Sequence, residues 1–458
     1  MRAHITPGGR VEGDARVPGD KSIAHRWLLL AATADGPSRL LSLPSGLDTL
    51  ATARCLAALV PPVRPALEAW GSSPGVADER HGSTWNGERS TLDLDTLDLR
   101  GEGRGSLRPV GEQPLDCGNS GTTMRLLAGL VAACPFESVL SGDASLSSRP
   151  MERIAEPLRA MGADVRTSDG HPPISIRGGR LVGARVEPIV PSAQVKGAVL
   201  LAGLAAEGAT TVVEVAGTRD HTERALRALG APVGVDRAEV TLRGPFQHGG
   251  LDGTVPGDPS AAAFLLAAAA LTGGGVSILD VGMNPTRLGY LEVLSRMGLE
   301  VEVQVEAEEI GEPRGTLASR AVDVVAPVVV SAAEMPSVID EVPVLAALAV
   351  HADGESRFEG GRELRVKESD RLAALERGLR SLGGSIRVEG DDLVVAGGGL
   401  AGGTVVPADD HRIVMSLVVA SLAARGPSAI EGIEAAAVSF PGFVPALTAL
   451  GARIEEAG

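Results

Sequence analysis

Along this chain, apolar residues at helical spacing, such as Leu372, Leu375, Leu379 and Leu382, run up to a glycine and give way to short β-like stretches. One unit recurs: Leu-x-x-Leu/Met-Gly followed by a strand pattern, at Leu158 to Gly162, Leu226 to Gly230, Leu294 to Gly298, Leu379 to Gly383 and Leu447 to Gly451. A worn sixth copy, Leu56 to Val60, lacks the glycine. Each copy predicts a helix closed by a glycine cap that turns into a strand, as in Met161-Gly-Ala-Asp-Val-Arg. Three pairs of copies share a spacing of 68 residues (158 to 226, 226 to 294, 379 to 447), which marks a structural period.

A second repeat divides the chain. Val17-Pro-Gly-Asp20 and Val255-Pro-Gly-Asp258 each lead into an apolar run, and each proline precedes a leucine of the first repeat, Leu56 or Leu294, by 38 residues. The pattern predicts an α/β protein of two homologous halves with three units each. At 458 residues the chain also exceeds what one core usually serves. The expected boundaries are 20–255 for one half and 1–19 plus 256–458 for the other. The crossings, and any hinge, fall near Pro18–Asp20 and Pro256–Asp258. Residues 72–112 are polar and Gly-rich and read as an insertion or long loop.

Composition narrows the function. A net charge of -16 and six Phe, three Trp and one Tyr argue against nucleic acid or an anionic membrane as the main partner. Three cysteines, Cys55, Cys117 and Cys134, follow no paired spacing, so neither a disulfide framework nor a zinc site is expected, and no cofactor or metal. The opening Met1-Arg-Ala-His-Ile-Thr runs into Pro and Gly rather than an apolar stretch. With no clean membrane span either, a cytoplasmic protein is expected.

Cations gather at expected helix starts, where free N–H groups and the helix dipole favour anions. Glu363 to Arg371 holds six ionisable side chains in nine residues, of both signs, and is expected to form the first turns of a helix with Lys367 and Arg371 on one face. Asp20-Lys-Ser-Ile-Ala-His-Arg26 opens another helix, and Asp116-Cys-Gly-Asn-Ser-Gly-Thr-Thr-Met-Arg125 resembles a phosphate cradle. Ser147-Ser-Arg149, Ser192-Ala-Gln194-Val-Lys196, Thr218-Arg-Asp-His221 and Asp410-His-Arg412 stand before further helices. Alone, each also reads as a helix cap or a solvated salt-bridge face. Asp340 and Glu341 sit inside an apolar run and need a partner or a role. The Gly-x-x-x-x-Gly-Lys-Ser/Thr, His-Glu-x-x-His and Gly-x-Ser-x-Gly signatures are missing in the contexts they require.

In order, Pro-Gly-Asp-Lys-Ser-Ile-x-His-Arg, Gly-Asn-Ser-Gly-Thr-Thr-Met-Arg, Ser-Ala-Gln-Val-Lys, Thr-Arg-Asp-His-Thr-Glu, Asn284-Pro-Thr-Arg287, Leu-Arg-Val-Lys-Glu-Ser-Asp-Arg, Asp-His-Arg and Ser439-Phe-Pro-Gly cover nearly the whole chain. This set resembles the 5-enolpyruvylshikimate-3-phosphate synthase family. The resemblance implies a two-lobed inside-out α/β barrel of six βαβαββ repeats, three per lobe, closing on its substrates. It implies transfer of the enolpyruvyl group of phosphoenolpyruvate to the 5-hydroxyl of shikimate 3-phosphate, by a monomer. It also implies roles. Lys21, Ser22, Arg26, Ser192, Ala193, Gln194, Thr218, Asp340 and Lys367 would hold shikimate 3-phosphate. Lys21, Asn119, Gly121, Arg149, Gln194, Arg371 and Arg412 would hold phosphoenolpyruvate. Asp340 would accept the hydroxyl proton and Glu368 would protonate the methylene carbon, with Lys21 beside them.

Departures from the family pattern are Ala24 for a common serine, Ala193 for a phosphate-binding hydroxyl in some members, and Val438 where some members place a lysine for phosphoenolpyruvate. The sister family acting on UDP-N-acetylglucosamine usually carries a cysteine acid in the loop that here reads Gly142-Asp-Ala-Ser-Leu-Ser-Ser-Arg149. A non-catalytic anion-binding repeat scaffold would share the periodicity but not the co-occurrence of Glu368 and Asp340 with the cations. Gly121 lacks the methyl group that narrows the pocket of some glyphosate-insensitive members, so glyphosate is expected to inhibit. A wild-type enzyme unaffected by millimolar glyphosate would overturn that expectation.

Overall fold

The computed structural model describes residues 1–72, 96–111, 113–214, 217–322 and 324–457. Their strands form a mixed α/β fold with six small sheets, five of four strands and one of three. The wiring repeats. Leu115–Asp116 runs parallel to Glu137–Ser141, which pairs antiparallel with His171–Arg177, and that strand pairs antiparallel with Asp164–Ser168. The same order holds for Arg185–Val186, Gly208–Val213, Glu239–Gly244 and Val233–Asp236. It holds again for Val329–Val330, Glu355–Phe358, Asp392–Ala396 and Ser385–Glu389.

Two sheets draw on the first residues of the chain. Gly13–Arg16 lies parallel to Val276–Gly282, and Arg2–Ile5 sits between Ser428–Glu431 and Ile454–Ala457. In the three-stranded sheet, Asp252–Thr254 lies parallel to Asp35–Leu41, which pairs with Leu97–Glu102. The stretch 72–112 is therefore not loop throughout. Leu97-Asp-Leu-Arg alternates apolar and charged residues as a half-buried strand does, a short signal within polar surroundings. Residues 73–95 and 112 of that stretch lie outside the described residues.

Six helices are buried on nearly every side: Lys21–Thr33, Gly121–Val131, Ala193–Gly203, Pro259–Leu271, Val342–Ala349 and His411–Ser421. Their sequences are rich in Ala and Leu and lack a continuous polar stripe, so water would meet an apolar surface whichever way they turned. Each fully buried leucine contributes about 2 kcal/mol. Small residues let these helices approach closely: a Cβ on Gly129 would lie 2.1 Å from the Ala198 carbonyl oxygen of the neighbouring helix.

The outer helices end as the repeat predicts. Gly162, Gly230, Gly298, Gly383 and Gly451 all have φ between +82° and +106°. In each copy the residue after the glycine donates its N–H to the carbonyl of the leading leucine, at 2.8–3.1 Å. Glycine adopts this left-handed cap at little cost. The worn copy takes another path: Val60 donates to Leu56, and the chain continues through Pro61–Val63 into the helix Arg64–Gly71.

Apolar side chains collect into two cores, one drawn from residues 23–255 and the other from 3–17 and 261–454. The chain passes between them at the two Pro-Gly turns. There the Asp20 N–H donates to the Pro256 carbonyl at 2.7 Å and the Asp258 N–H to the Pro18 carbonyl at 2.8 Å. Among the described residues no helix is long and apolar enough to cross a membrane.

The charged run from Glu363 to Arg371 corrects the sequence reading. Gly361–Val366 is a separate 3-10 turn, Lys367 is extended, and the helix begins only at Arg371. Asp370 stops the earlier start because its carboxylate caps the Ala373 N–H at 3.1 Å. Lys367 and Glu368 therefore sit on a loop rather than on a helix face.

The close helix crossing yields an expectation. Gly129→Ala should destabilise the protein by about 2–3 kcal/mol through backbone displacement against Ala198. Urea unfolding measures this, and a wild-type midpoint in the variant would contradict the packing described.

Candidate active site

Five of the six buried helices start with a side chain capping their own N–H groups. Asp20 accepts from Ser22 and Ile23 at 2.7 and 3.2 Å, Ser120 from Thr123 at 3.1 Å, Ser192 from Val195 at 3.4 Å, Asp258 from Ser260 at 2.8 Å and Asp410 from Arg412 at 3.0 Å. The cap reading of Asp20 and Asp410 is thus correct, yet both caps also hold cations. Contacts from both cores meet around these helix starts.

Asp340 is a junction. Its carboxylate accepts from Arg219 Nη2 at 2.5 Å, and Lys367 Nζ and Arg371 Nη1 lie 3.4 and 3.6 Å away. Its carbonyl accepts from Arg412 Nη1 at 2.7 Å. Burial opposes ionisation of Asp340, but Lys367, Arg219, Arg412 and Arg371 outweigh it and hold the carboxyl well below the usual range. Arg219 belongs to the first core's part of the chain and Asp340 to the second's, so this ion pair spans them.

Glu368 lies beside Asp340 through a shared cation. Arg371, 1% exposed, donates to Glu368 at 2.7 Å and to both oxygens of buried Asp410 at 2.8 and 3.2 Å. Burial again opposes ionisation of Glu368, and the cations Arg371, Arg149 and Lys21 overcome it, so its carboxyl is also well below the ordinary range. The Glu368 carbonyl accepts from Ser145 Oγ at 3.2 Å, a second bridge between the two parts of the chain. His411 is pushed down to about 3, by burial first and then by Lys21, and is neutral at pH 7.

Lys21 donates to Asp48 at 2.9 Å. Burial would lower its pKa, but Asp48 and Glu368 raise it, so it keeps its charge. Asp48 is in turn held below the usual carboxylate range against burial, chiefly by Lys21. Nearby, Arg149 Nη2 donates to Asn119 Oδ1, and Asn119 donates to Asp143 at 2.8 Å. Arg125 donates to Gln194 Oε1, and Gln194 donates to Thr122 at 2.8 Å.

A Cβ on Gly121 would stand 3.1 Å from both Arg125 and Arg149. Burial, then the cations Arg153 and Arg149, push Arg125 down to about 9. Arg125 Nε and Nη2, Arg149 Nε and Arg371 Nη1 are buried N–H groups without a hydrogen-bond partner in the protein. Such donors suit an anion, and those of Arg125 and Arg149 lie beside the Gly121 turn.

The third group surrounds Arg26, which donates to Thr222 Oγ1 and the Ser22 carbonyl, both at 2.7 Å, and to the Ala193 carbonyl at 3.4 Å. Burial lowers Arg26 to about 10, against the pull of Glu223 and Asp20. Thr218 donates to Glu214, which together with Glu223 pairs buried Lys196 at 2.9 and 2.6 Å. Ala193 opens its helix, so its N–H has no partner within that helix.

Sequence reasoning did not single out Arg219, Asp48, Arg125 or Arg287, although all but Asp48 lie inside quoted motifs. No local pattern marks them; each earns its place through a partner far along the chain. Val438 ends the 3-10 turn Ile433–Val438, where its carbonyl packs on Gly46, and offers no cation.

A model of the family EPSP synthase (3-phosphoshikimate 1-carboxyvinyltransferase) matches residues 5–66 and 88–447. A 3-phosphoshikimate 1-carboxyvinyltransferase of Halorhodospira halophila is 45% identical over 99% of this chain and 97% of its own. Another, of Desulforudis audaxviator, is 43% identical over 98% and 99%. The solved EPSP synthase of Acinetobacter baumannii superposes with a TM-score of 0.82 at 38% identity, over the whole of both chains. The enolpyruvyl transferase NikO of Streptomyces tendae shares the fold, with a TM-score of 0.75 at 20% identity over 100% of this chain and 98% of that one. With the family model spanning most of the chain and relatives matching it end to end, this chain belongs to the EPSP synthase family.

Proposed function

We infer that this chain transfers the enolpyruvyl group of phosphoenolpyruvate to the 5-hydroxyl of shikimate 3-phosphate and releases phosphate, a step of the shikimate pathway toward chorismate. The observation that carries the reading is the pair Asp340 and Glu368, two half-buried carboxylates sharing Arg371 amid cations from both cores. An anion-binding scaffold has no use for two carboxylates there. An addition–elimination reaction needs both a proton acceptor and a proton donor.

The residue roles proposed are those the family resemblance implies. Lys21, Ser22, Arg26, Ser192, the Ala193 backbone, Gln194, Thr218, Asp340 and Lys367 hold shikimate 3-phosphate. Lys21, Asn119, Gly121, Arg149, Gln194, Arg371 and Arg412 hold phosphoenolpyruvate, with the spare donors of Arg149 and Arg371 supporting that assignment. Asp340 takes the 5-hydroxyl proton as the oxygen bonds to C2 of phosphoenolpyruvate, and Glu368 gives a proton to C3. The resulting ketal loses phosphate, and a C3 proton returns to the Glu368 carboxylate to leave the enol ether. Glu368 is ionised when cations surround it unopposed. Two anionic substrates offset those cations and lift its pKa toward the range a proton donor requires.

Two lobes, 20–255 and 1–19 with 256–458, supply the two sides of the site. The all-round burial of six helices inside six sheets supports an inside-out barrel arrangement with three repeats per lobe. Closure of the lobes expels water and strengthens every charge interaction. The enzyme works as a cytoplasmic monomer and takes glyphosate as an inhibitor.

Purified protein given phosphoenolpyruvate should release phosphate with shikimate 3-phosphate and not with UDP-N-acetylglucosamine. Release with the sugar nucleotide alone would move the substrate assignment to the sister family. Asp340→Asn and Glu368→Gln should each lower kcat by about 10²–10⁴-fold with far smaller losses in substrate binding. Unchanged turnover in either would remove that residue from the chemistry.

The depressed carboxylates also predict a pH dependence. Their folded pKa values lie below the unfolded ones, so their stabilisation is complete above about pH 4–5 and is lost as pH falls through the folded values. Urea stability should drop from pH 5 toward pH 3, less steeply in Glu368→Gln. Equal slopes for variant and wild type would show that Glu368 is not held in this way.

A further inference from the structure

Arg287 lies in the short turn Pro285–Arg287 and is 2% exposed, yet none of the roles above uses it. Its guanidinium joins three places. Nη1 donates to Asp20 Oδ2, Nη2 donates to Asp258 Oδ1 at 2.7 Å, and Nη2 also reaches Ser260 Oγ at 2.9 Å. Asp20 and Asp258 are the N-caps of the helices that begin at Lys21 and Pro259, and they occupy equivalent places in the two chain crossings. The crossings are already tied by backbone hydrogen bonds on either side of the guanidinium's partners. Ser260 Oγ continues the network by donating to Glu341, the residue after Asp340.

This rests on the activity inferred above. We infer that Arg287 is a positioning residue for that reaction: by clamping the crossing aspartates together and reaching Glu341 through Ser260, it fixes the helix start bearing Lys21 relative to Asp340. The geometry demands an arginine. Only a planar fork with several donors meets two carboxylates and a hydroxyl at once, whereas an ammonium group is a single point on a flexible stem. Without the cation, two buried carboxylates would lose their shared partner and repel across the crossings. Burial opposes ionisation of Asp20, but Arg287, foremost among the groups that counter it, helps hold that carboxyl down at about 2, in agreement with the clamp being charged. Since reacting groups misplaced by 1 Å cost on the order of 100-fold in rate, a loosened crossing should be felt in turnover before it is felt in binding.

The test compares wild type with Arg287→Lys, Arg287→Met and Asp258→Asn. The readouts are kcat per shikimate 3-phosphate binding site counted by calorimetry, KM for both substrates, and melting temperature. Arg287→Lys should fold and lose about 100-fold in kcat, with both KM values within about fivefold. Asp258→Asn keeps an acceptor for Arg287 and for the helix cap but drops one charge, so a fall of about tenfold is expected.

A merely structural role predicts something else: a lower melting temperature and fewer binding sites, with kcat per site within about twofold of wild type. That result in Arg287→Lys and Asp258→Asn overturns the inference while leaving the activity in place. Should Arg287→Met fail to fold, those two variants still decide. Absence of phosphate release by wild type would instead overturn the activity and the inference together.

Discussion

The structure depends on burying charge without leaving it unpaired. An ion removed from water costs several kcal/mol unless opposite charge and hydrogen bonds replace the lost solvation. The chain meets this by linking several buried or half-buried cations to carboxylates, most of them from distant segments: Arg287 to Asp20 and Asp258, Arg371 to Glu368 and Asp410, Arg219 to Asp340. Two of these pairs, Arg287–Asp20 and Arg219–Asp340, join the two parts of the chain. Core packing makes each half compact, but it is non-directional and cannot by itself register one half on the other. The ion pairs carry that geometric information.

The same constraint explains where the chemistry sits. Buried apolar helices must still end, and their first N–H groups need acceptors. Asp20, Asp258 and Asp410 satisfy them while turning a second oxygen or a shared one toward arginine. Helix starts, capping acids and guanidinium groups thereby condense into one polar region between two apolar ones. In that region Asp340 and Glu368 ionise readily and His411 stays neutral. Anionic substrates entering it change the charge balance more than water would permit at a surface.

Much of the fold was legible because its signals are local. The glycine after Leu-x-x-Leu/Met ends a helix through its own φ and one hydrogen bond that the residue after it donates to the leading leucine, so five copies could be placed from spacing. The worn copy and the strand Leu97–Glu102 were harder, because neither carries a glycine cap or sits between turn signals. The start of the helix at Arg371 was misread for a related reason: Lys367 and Arg371 have helical charge spacing, but the Asp370 carboxylate competes for the backbone N–H of Ala373.

By itself the sequence determined the helix and strand units, the recurrence of the Pro-Gly turns and the supply of cations at helix starts. These rest on backbone preference and periodicity within a few residues. Only the tertiary structure decided which acid faces which base. Asp48 holds Lys21 from 27 positions away, Arg219 reaches Asp340 across 121, and Arg287 meets Asp20 across 267. Such pairings depend on how six buried helices converge, and electrostatic partners set by convergence leave no periodic trace along the chain.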